Sequence, residues 1–472
     1  MAKNKNREII ELEIESIGFE GISIARREGR VYFVDNAVPK DKVRAAVLRK
    51  RKSYIETKLV EVVESSPNRI GPKCRYFSDC GGCSWQNLEY SEQLLWKRQH
   101  VCDAFERIGR LQNIKIEQTL ESELQFNFRN KMEFSFSDSR WLTQNEIQSD
   151  EEYFDRNFAL GLHAPQRYDK VIDISECFIH PEINNTFLCE FREAALRLRV
   201  TPYSQRTRSG FLKNLIIRHS LYYHEIMVIL LTTLPRFEQD ELYLSWLKDE
   251  FIPKHTEVST FIHAVNDTVS PVAVGEPEII SGSGFITESI LGIDFRISPF
   301  SFFQTNSSQL DTFISKILEI AELKQDDVIW DLYCGAGSIS LPASKLCNFV
   351  YGLELSETSV ADAISNARLN NIENIRFEAR DLHGKDFQTI LESLPKPDVI
   401  ILDPPRAGMN KNLVNYLIES GVRKIIYVSC NPATQARDCA LLSERYTIEF
   451  VQPVDMFPQT YHVESIARML RK

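Results

Sequence analysis

The sequence predicts an α/β protein whose last third is a doubly wound, Rossmann-like parallel sheet, and three observations carry that expectation. Short apolar runs at 328–332, 349–353, 374–377, 399–402 and 424–429 alternate with helical periodicity at 338–346, 357–371, 410–420 and 434–443. Such alternation builds a parallel sheet that binds its ligand at the carboxyl ends of the strands. The stretch VIWDLYCGAGSISL ends its strand at Asp331 and turns through Gly335-Ala336-Gly337, where backbone can approach a ligand, with Ser338 placed to open a helix. Seventeen residues beyond Gly337 the second run ends in Glu354, the position from which an acidic side chain accepts hydrogen bonds from two ribose hydroxyls.

This crevice suits a nucleoside without phosphates. Only two of the three fingerprint glycines are present, and Asp331 and Tyr333 stand where a pyrophosphate binder would expose bare backbone. S-adenosylmethionine therefore fits better than NAD. Three further strand ends carry chemistry. Asp381 follows the third run, placed to hold an adenine amino group. Asp403-Pro404-Pro405-Arg406 follows the fourth, where prolines stiffen the loop and Asp403 points at the crevice. Ser429-Cys430-Asn431-Pro432 follows the fifth, and a thiol at a strand end beside a methyl donor is a candidate nucleophile. Cys334, Cys347 and Cys439 read as packing residues. Upstream, SPFSFFQTN at 298–306 leads into a helix at 307–323. A buried amide at Gln304 would orient a carboxylate or a base, with Phe302 and Phe303 as stacking or core residues. The tail, 447–451 and 463–470, adds a final antiparallel pair.

At 472 residues the chain suggests roughly three domains, placed at 1–64, 65–300 and 301–472. No apolar run approaches the ~18 residues that span a bilayer. The first eight residues are polar and basic with no apolar segment behind them, so the chain is expected to be cytoplasmic, away from membranes. Ten cysteines in so long a chain are not a disulfide scaffold and point to metal or to chemistry. Net charge is −10, yet residues 1–63 hold fourteen Lys and Arg against ten Asp and Glu.

That basic segment alternates apolar and charged residues in five short runs (9–14, 21–25, 31–34, 42–48, 54–63), the pattern of a small β-barrel of the oligonucleotide-binding sort. Arg49-Lys50-Arg51-Lys52-Ser53-Tyr54 would sit at a hairpin tip, where it neutralises phosphates without reading sequence. Ser65-Ser66-Pro67-Asn68 reads as a linker.

In the central unit, a mixed α+β region, Cys74, Cys80 and Cys83 fall within ten residues around Gly81-Gly82. Tetrahedral metal sites want a fourth ligand, and Cys177, in a polar turn after a strand-like run, is the best candidate. All-thiolate sets fit structural zinc or an iron–sulfur cluster, and three close cysteines with a remote partner lean toward 4Fe–4S. A fourth ligand argues for a closed, structural site over radical chemistry. A helix is expected at 89–110, with Leu94, Leu95, Val101, Phe105 and Ile108 facing the core and Cys102 packed rather than ligating. Strands at 126–136, 160–163, 211–218 and 225–232 would form an antiparallel sheet. The polar groups Arg129-Asn130-Lys131, Asn214 and Arg218-His219 on those strands suit an RNA-facing surface or a salt-bridged sheet edge.

With SFFQTN, DLYCGAGSISL, DPPRAG, VSCNPAT, DMFPQTYHVE and the cysteine set together, the chain resembles the RNA uracil-5-methyltransferase family, in its iron–sulfur branch acting on 23S ribosomal RNA. The resemblance runs over nearly the whole length and implies a TRAM-like barrel at 1–64. It implies that Cys74, Cys80, Cys83 and Cys177 hold a 4Fe–4S cluster. Gln304, Tyr333, Ser338, Glu354, Asp381 and Asp403 would line the S-adenosylmethionine site; other members often place an amide where Ser338 stands. Cys430 would be the nucleophile and Glu464 the base, acting on a uridine flipped out of its RNA loop. The protein is expected to act as a monomer on 23S ribosomal RNA, with transfer RNA as the alternative substrate. Cytosine-5 methylation is the neighbouring chemistry, but those enzymes usually carry another cysteine after the fourth strand, where DPPR has none. An inert iron–sulfur RNA-binding protein is the other alternative.

Overall fold

The computed structural model describes residues 7–149, 155–165, 167–269 and 272–472. Its C-terminal sheet has eight strands in the order Ile375–Ala379, Phe349–Glu354, Val328–Leu332, Val399–Leu402, Lys424–Ser429, Glu464–Arg471, Tyr446–Val454, Lys115–Ile116. The first five are parallel. Glu464–Arg471 then runs antiparallel between Lys424–Ser429 and Tyr446–Val454. Successive residues feed cores on opposite faces: Ile329, Ile401 and Ile426 pack on one, Trp330, Ile400 and Tyr427 on the other. This two-sided burial is why the runs are continuously apolar rather than alternating. Val328–Leu332 pairs with both Phe349–Glu354 and Val399–Leu402, so the chain reverses its winding there and opens a crevice at the carboxyl ends.

Boundaries follow local chemistry. The helix Glu357–Leu369 starts where the Ser356 hydroxyl accepts from Ser359 N–H, and Lys411–Ser420 where the Asn410 side chain accepts from Leu413 N–H. Ser338 caps nothing. The turn runs on to Ile339, which caps the helix Ser340–Ser344 without a side-chain bond, and the Ser340 hydroxyl bonds Asp331 from inside the helix. A short helix at Phe387–Ser393 has no counterpart in the expectation.

The expected helix at 89–110 is Tyr90–Asp103 followed by a π turn, Ala104–Ile108. Leu95 and Ile108 are exposed, while the buried face carries Gln93, Lys97, His100 and Val101. Lys97 Nζ lies 2.5 Å from Asp455 and 3.0 Å from the Phe457 carbonyl. Tyr90 donates to Asp455 at 3.0 Å, and Gln93 to Gln459 at 3.1 Å. A polar face is buried here because it grips the 455–459 loop. With Lys115–Ile116 on the far edge of the C-terminal sheet, this segment packs against the last unit, although its sequence position is central.

The central sheet runs Glu276–Ser281, Val258–Val265, Ile226–Thr232, Leu212–His219, Lys131–Ser137, Ala159–Ala164, Arg167–Asp173, Arg140–Trp141. It is mostly antiparallel, with parallel pairs between Ile226–Thr232 and Val258–Val265 and at Arg140–Trp141. One face packs Phe134, Leu215 and Ile217 under Phe187, Phe191 and Tyr243 of two helices. The other sends Ile216, Met227 and Ile229 against the C-terminal unit.

The N-terminal sheet has six strands, ordered Ile9–Glu13, Lys42–Lys50, Tyr54–Glu64, Arg30–Asp35, Ser23–Arg27, Ser16–Ile17. It curls around Leu12, Val34, Val43 and Ile55, and its last ladder extends back from Ser16–Ile17, where Glu15 N–H donates to Ile24 O at 2.9 Å. The segment after it is not loose. Buried Asp41 accepts from Ser66 N–H at 2.9 Å and pairs with Arg69 at 2.6 Å.

Candidate active site

The switch-point crevice is a cleft of about 950 Å³ lined by Gln304, Tyr333, Ser338, Glu354, Asp381, Asp403, Cys430 and Glu464, among others. All eight residues singled out in sequence for cofactor binding and catalysis therefore meet in one cavity. At the end formed by the first two strands, Glu354 is held by backbone: Gly335 N–H donates to Oε2 at 3.2 Å and Ser356 N–H to Oε1 at 2.9 Å. Its remaining lone pairs are free to face hydroxyl donors. Tyr333, a non-glycine residue with φ of 69°, and Gly337, with φ of 86° and Phe377 only 3.0 Å from where a Cβ would sit, set the turn. A Cβ on Gly335 would meet nothing within 4 Å, so there the backbone borders open space. Asp381 is fixed by His383 N–H at 2.8 Å. Gln304 is half-buried rather than buried; Asn130 Nδ2 donates to its carbonyl at 2.9 Å. Phe303 is core and Phe302 exposed.

At the other end the register of the antiparallel pair does what sequence distance hides. Ser429 lies opposite Ser465, so Cys430, one residue on, stands opposite Glu464, one residue back. The Ser465 hydroxyl donates to Gln435 at 2.7 Å, and Gln435 Nε2 donates to the carbonyls of Tyr427 and Ser465 at 2.7 and 3.0 Å, locking the two strand ends. The DPPR loop is tied to the same corner, its Arg406 carbonyl accepting from Asn431 at 3.1 Å and Thr434 at 3.2 Å.

Electrostatics distinguish these groups. Burial, reinforced by Asp403, pushes Glu464 up to about 8, while Arg406 opposes the shift. Burial and Asp331 push Asp403 up to about 7. Burial, then Glu464 and Asp403, push the Cys430 thiol up to about 11 against the pull of Arg406. These shifts favour the protonated thiol at Cys430 and let Glu464 titrate near mildly alkaline pH. Arg406, which contacts His462 at 2.9 Å, pulls both groups down. In sequence it stands inside DPPR as a basic residue in a stiffened strand-end loop, with no role assigned.

The cysteines of the central unit form a separate corner. Cys80, Cys83 and Cys177 border the same core, and the Cys177 thiol is pushed up to about 12 by burial and by Cys83, Cys80 and Cys74 in turn. Cys83 rises to about 12 and Cys80 to about 11, mainly by burial. Among the described residues no three His, Cys, Asp or Glu side chains converge closely enough to hold a metal ion. Arg129 lies near both Cys83 and Cys177 and also lines the main cleft.

The polar groups of the central strands prove to be internal braces. Arg218 is buried and donates to the carbonyls of Ser298, Pro299 and Ser301 at 2.8–3.1 Å, which fixes the segment leading to Gln304. His219 contacts Asn184 at 2.6 Å, and Lys131 pairs with Glu133 at 2.6 Å. The basic block does form a hairpin tip, with Arg51 N–H donating to Tyr54 O at 2.9 Å, though Lys50 and Arg51 pair with Glu8 and Glu56. Among the described residues no helix is long and apolar enough to cross a membrane.

A family model described as tRNA (Uracil-5-)-methyltransferase matches residues 291–472. An uncharacterized RNA methyltransferase of Chlorobaculum tepidum is 38% identical over 435 residues, 91% of this chain and 89% of that one. One from Bacteroides thetaiotaomicron is 38% identical over 95% of this chain and 98% of that one. Among solved structures, the Pyrococcus abyssi tRNA (uracil-54, C5)-methyltransferase in complex with S-adenosyl-L-homocysteine superposes with a TM-score of 0.74, at 25% identity, covering 98% of this chain and 100% of that one.

Proposed function

Because the chain belongs to the S-adenosylmethionine-dependent RNA uracil-5-methyltransferase family, we propose that it methylates carbon 5 of a uridine in 23S ribosomal RNA, with Cys430 as nucleophile and Glu464 as base. The observation that carries this reading is the register that sets Cys430 opposite Glu464 on the rim of a nucleoside-sized cleft.

Carbon 5 of uracil is a poor nucleophile. The Cys430 thiol gives its proton to solvent, the sulfur bonds to carbon 6, and the pair of the carbon 5–carbon 6 double bond moves toward the carbonyl oxygen at carbon 4 as an enolate. Bound S-adenosylmethionine would supply an electrophilic sulfonium methyl, which carbon 5 takes as the methyl–sulfur bond breaks and S-adenosylhomocysteine departs. Glu464 then removes the proton from carbon 5, the ring double bond re-forms, and the sulfur leaves. Glu354 suits the ribose hydroxyls of that cofactor, Asp381 its adenine amino group, with Tyr333, Ser338 and Gln304 along the wall. Asp403, protonated below about pH 7, is placed to bond the uracil edge.

Cys74, Cys80, Cys83 and Cys177 would hold a 4Fe–4S cluster by the chemistry of the donor set, all thiols with Arg129 nearby to offset thiolate charge, once they draw closer than the spacing at which no three of them converge on one ion. Cluster ligation needs those thiols deprotonated, and the metal supplies the compensation that burial denies them. The role is structural, since the methylation consumes no electron. Iron and sulfide content of the purified protein, against zinc, tests it. The N-terminal sheet, as a TRAM-like barrel, presents its hairpin tip to RNA phosphates.

The Pyrococcus abyssi structure favours a second reading, the same reaction on transfer RNA. Unmodified 23S ribosomal RNA and transfer RNA, each incubated with protein and radiolabelled S-adenosylmethionine, separate the two. Label recovered as 5-methyluridine in 23S ribosomal RNA supports the first reading, label in transfer RNA the second, and label in neither overturns both.

A further inference from the structure

The nucleophile borders two cavities. Besides the main cleft, Cys430, Arg406 and His462 line a pocket of about 110 Å³ whose outer wall is Phe19 and Glu20 of the N-terminal unit and Tyr461. Ordinary ligand pockets hold ~300–1,000 Å³, so this one is an extension of the cleft and not a site of its own.

The wall is held rigidly although it comes from the other end of the chain. Phe19–Gly21 is a single tight turn with Glu20 at φ 68° and Gly21 at φ 80°. A Cβ on Gly21 would lie 3.0 Å from the Tyr461 ring and 3.1 Å from Trp85 Nε1, so glycine lets the turn seat directly on the loop before Glu464. Trp85 Nε1 donates to the Gly21 carbonyl at 3.4 Å, and a His100 ring nitrogen lies 3.2 Å from the Ile17 carbonyl. Ile17, Trp85 and Leu88 form a small core with Tyr461 packed against it. Within this fixed turn Phe19 keeps 49% of its surface exposed, an apolar ring left open beside the reacting sulfur.

We propose that Phe19 is a stacking platform for the nucleobase adjacent to the target uridine, with Glu20 as acceptor and Arg406 as donor toward that base's edge. This rests on uracil methylation at Cys430. Extruding one base leaves its neighbour without a stacking partner, at a cost of a few kcal/mol. An exposed aromatic in a pocket continuous with the cleft replaces that partner. The N-terminal unit thereby contributes to the site of reaction and not only to phosphate attraction.

The test uses a substrate RNA hairpin, intact or with an abasic residue directly 5′ or 3′ of the target, and compares kcat/KM for wild type, Phe19→Ala and Phe19→Tyr. On intact RNA, Phe19→Ala is expected to lose about tenfold, the order one base–aromatic stack supplies, and Phe19→Tyr to stay within about twofold. One abasic RNA should slow the wild type by a similar factor and slow Phe19→Ala no further. Equal rates for Phe19→Ala and wild type on intact RNA, or losses that multiply, would overturn the proposal. If Phe19→Ala does not fold, the wild type decides alone: unchanged rates on both abasic RNAs overturn it. Wild-type turnover on intact RNA carries the underlying reaction, so the two failures are distinct.

Discussion

Two corners of the molecule hold thiols, one as a set and one as a single side chain, and they are built in opposite ways. Cys74, Cys80 and Cys83 lie within ten residues; Cys80 and Cys83 pack against the core that holds Cys177, and all three help raise the Cys177 thiol. Cys430 is shifted by carboxylates and by Arg406. Its neighbour Glu464 is 34 residues away in sequence, delivered by strand register, and what raises its pKa besides burial is carboxylate. Burial keeps the first set protonated, so that only a bound cation would favour its thiolates, whereas carboxylates are what raise the second thiol besides burial. The same residue type thus reads as a ligand set in one place and a reagent in the other.

Removing a thiol from each corner tests that contrast. Cys430→Ala should cut turnover on the order of 10⁴–10⁶-fold with an unchanged melting temperature, because the half-exposed side chain supports little packing. Cys177→Ser should do the reverse in kind, losing the iron signature and lowering the melting temperature while the folded fraction still forms the RNA adduct. A melting temperature that falls for Cys430→Ala as far as for Cys177→Ser would erase the distinction. Glu464→Gln should slow turnover about 10²–10⁴-fold, the usual worth of a general base. It should also accumulate a covalent enzyme–RNA species on denaturing gels, since sulfur cannot leave until carbon 5 is deprotonated.

Lys97→Met leaves Asp455 buried without its partner, which costs about 3–5 kcal/mol and should appear in urea unfolding, well above the effect at any exposed pair. The smallest effects concern pH. Turnover should rise with pH through about 8, the Glu464 ionisation. Arg406→Ala should lower the rate most near neutrality and least at high pH, because it removes a pull that favours thiolate. Stability moves oppositely. Glu464 has a folded pKa raised from 4.5 to about 8, so its contribution is fully present below 4.5 and is lost as pH rises to about 8. Glu464→Gln should therefore melt higher than wild type at pH 9 and equal it at pH 4.5 or below.

Much of the C-terminal unit was legible because strands buried on both faces are plain apolar runs, and parallel strands put Glu354, Asp381, Asp403 and Cys430 at the same edge. The identity of the helix facing that sheet was harder. Periodicity assigned Leu95 and Ile108 to the core, but the 455–459 loop made Gln93 and Lys97 the buried residues. Two-residue strands such as Ser16–Ile17 and Lys115–Ile116 carry no pattern long enough to see. Ser338 reads as a cap in sequence, yet the helix starts after Ile339, with no side-chain cap, and Ser340 within it bonds Asp331. Nothing in the sequence marks the influence of Arg406 on Cys430, since it depends on how two strand-end loops meet.

The central claim is a bond between one sulfur and carbon 6 of a uridine. RNA with 5-fluorouridine at the target position offers no proton for Glu464 to remove, so the bonded state persists and can be digested and sequenced by mass spectrometry. The account predicts one modified peptide, carrying a methylated fluorouridine on Cys430. An adduct on any other cysteine, or none while ordinary uridine is still methylated at the normal rate, would contradict it.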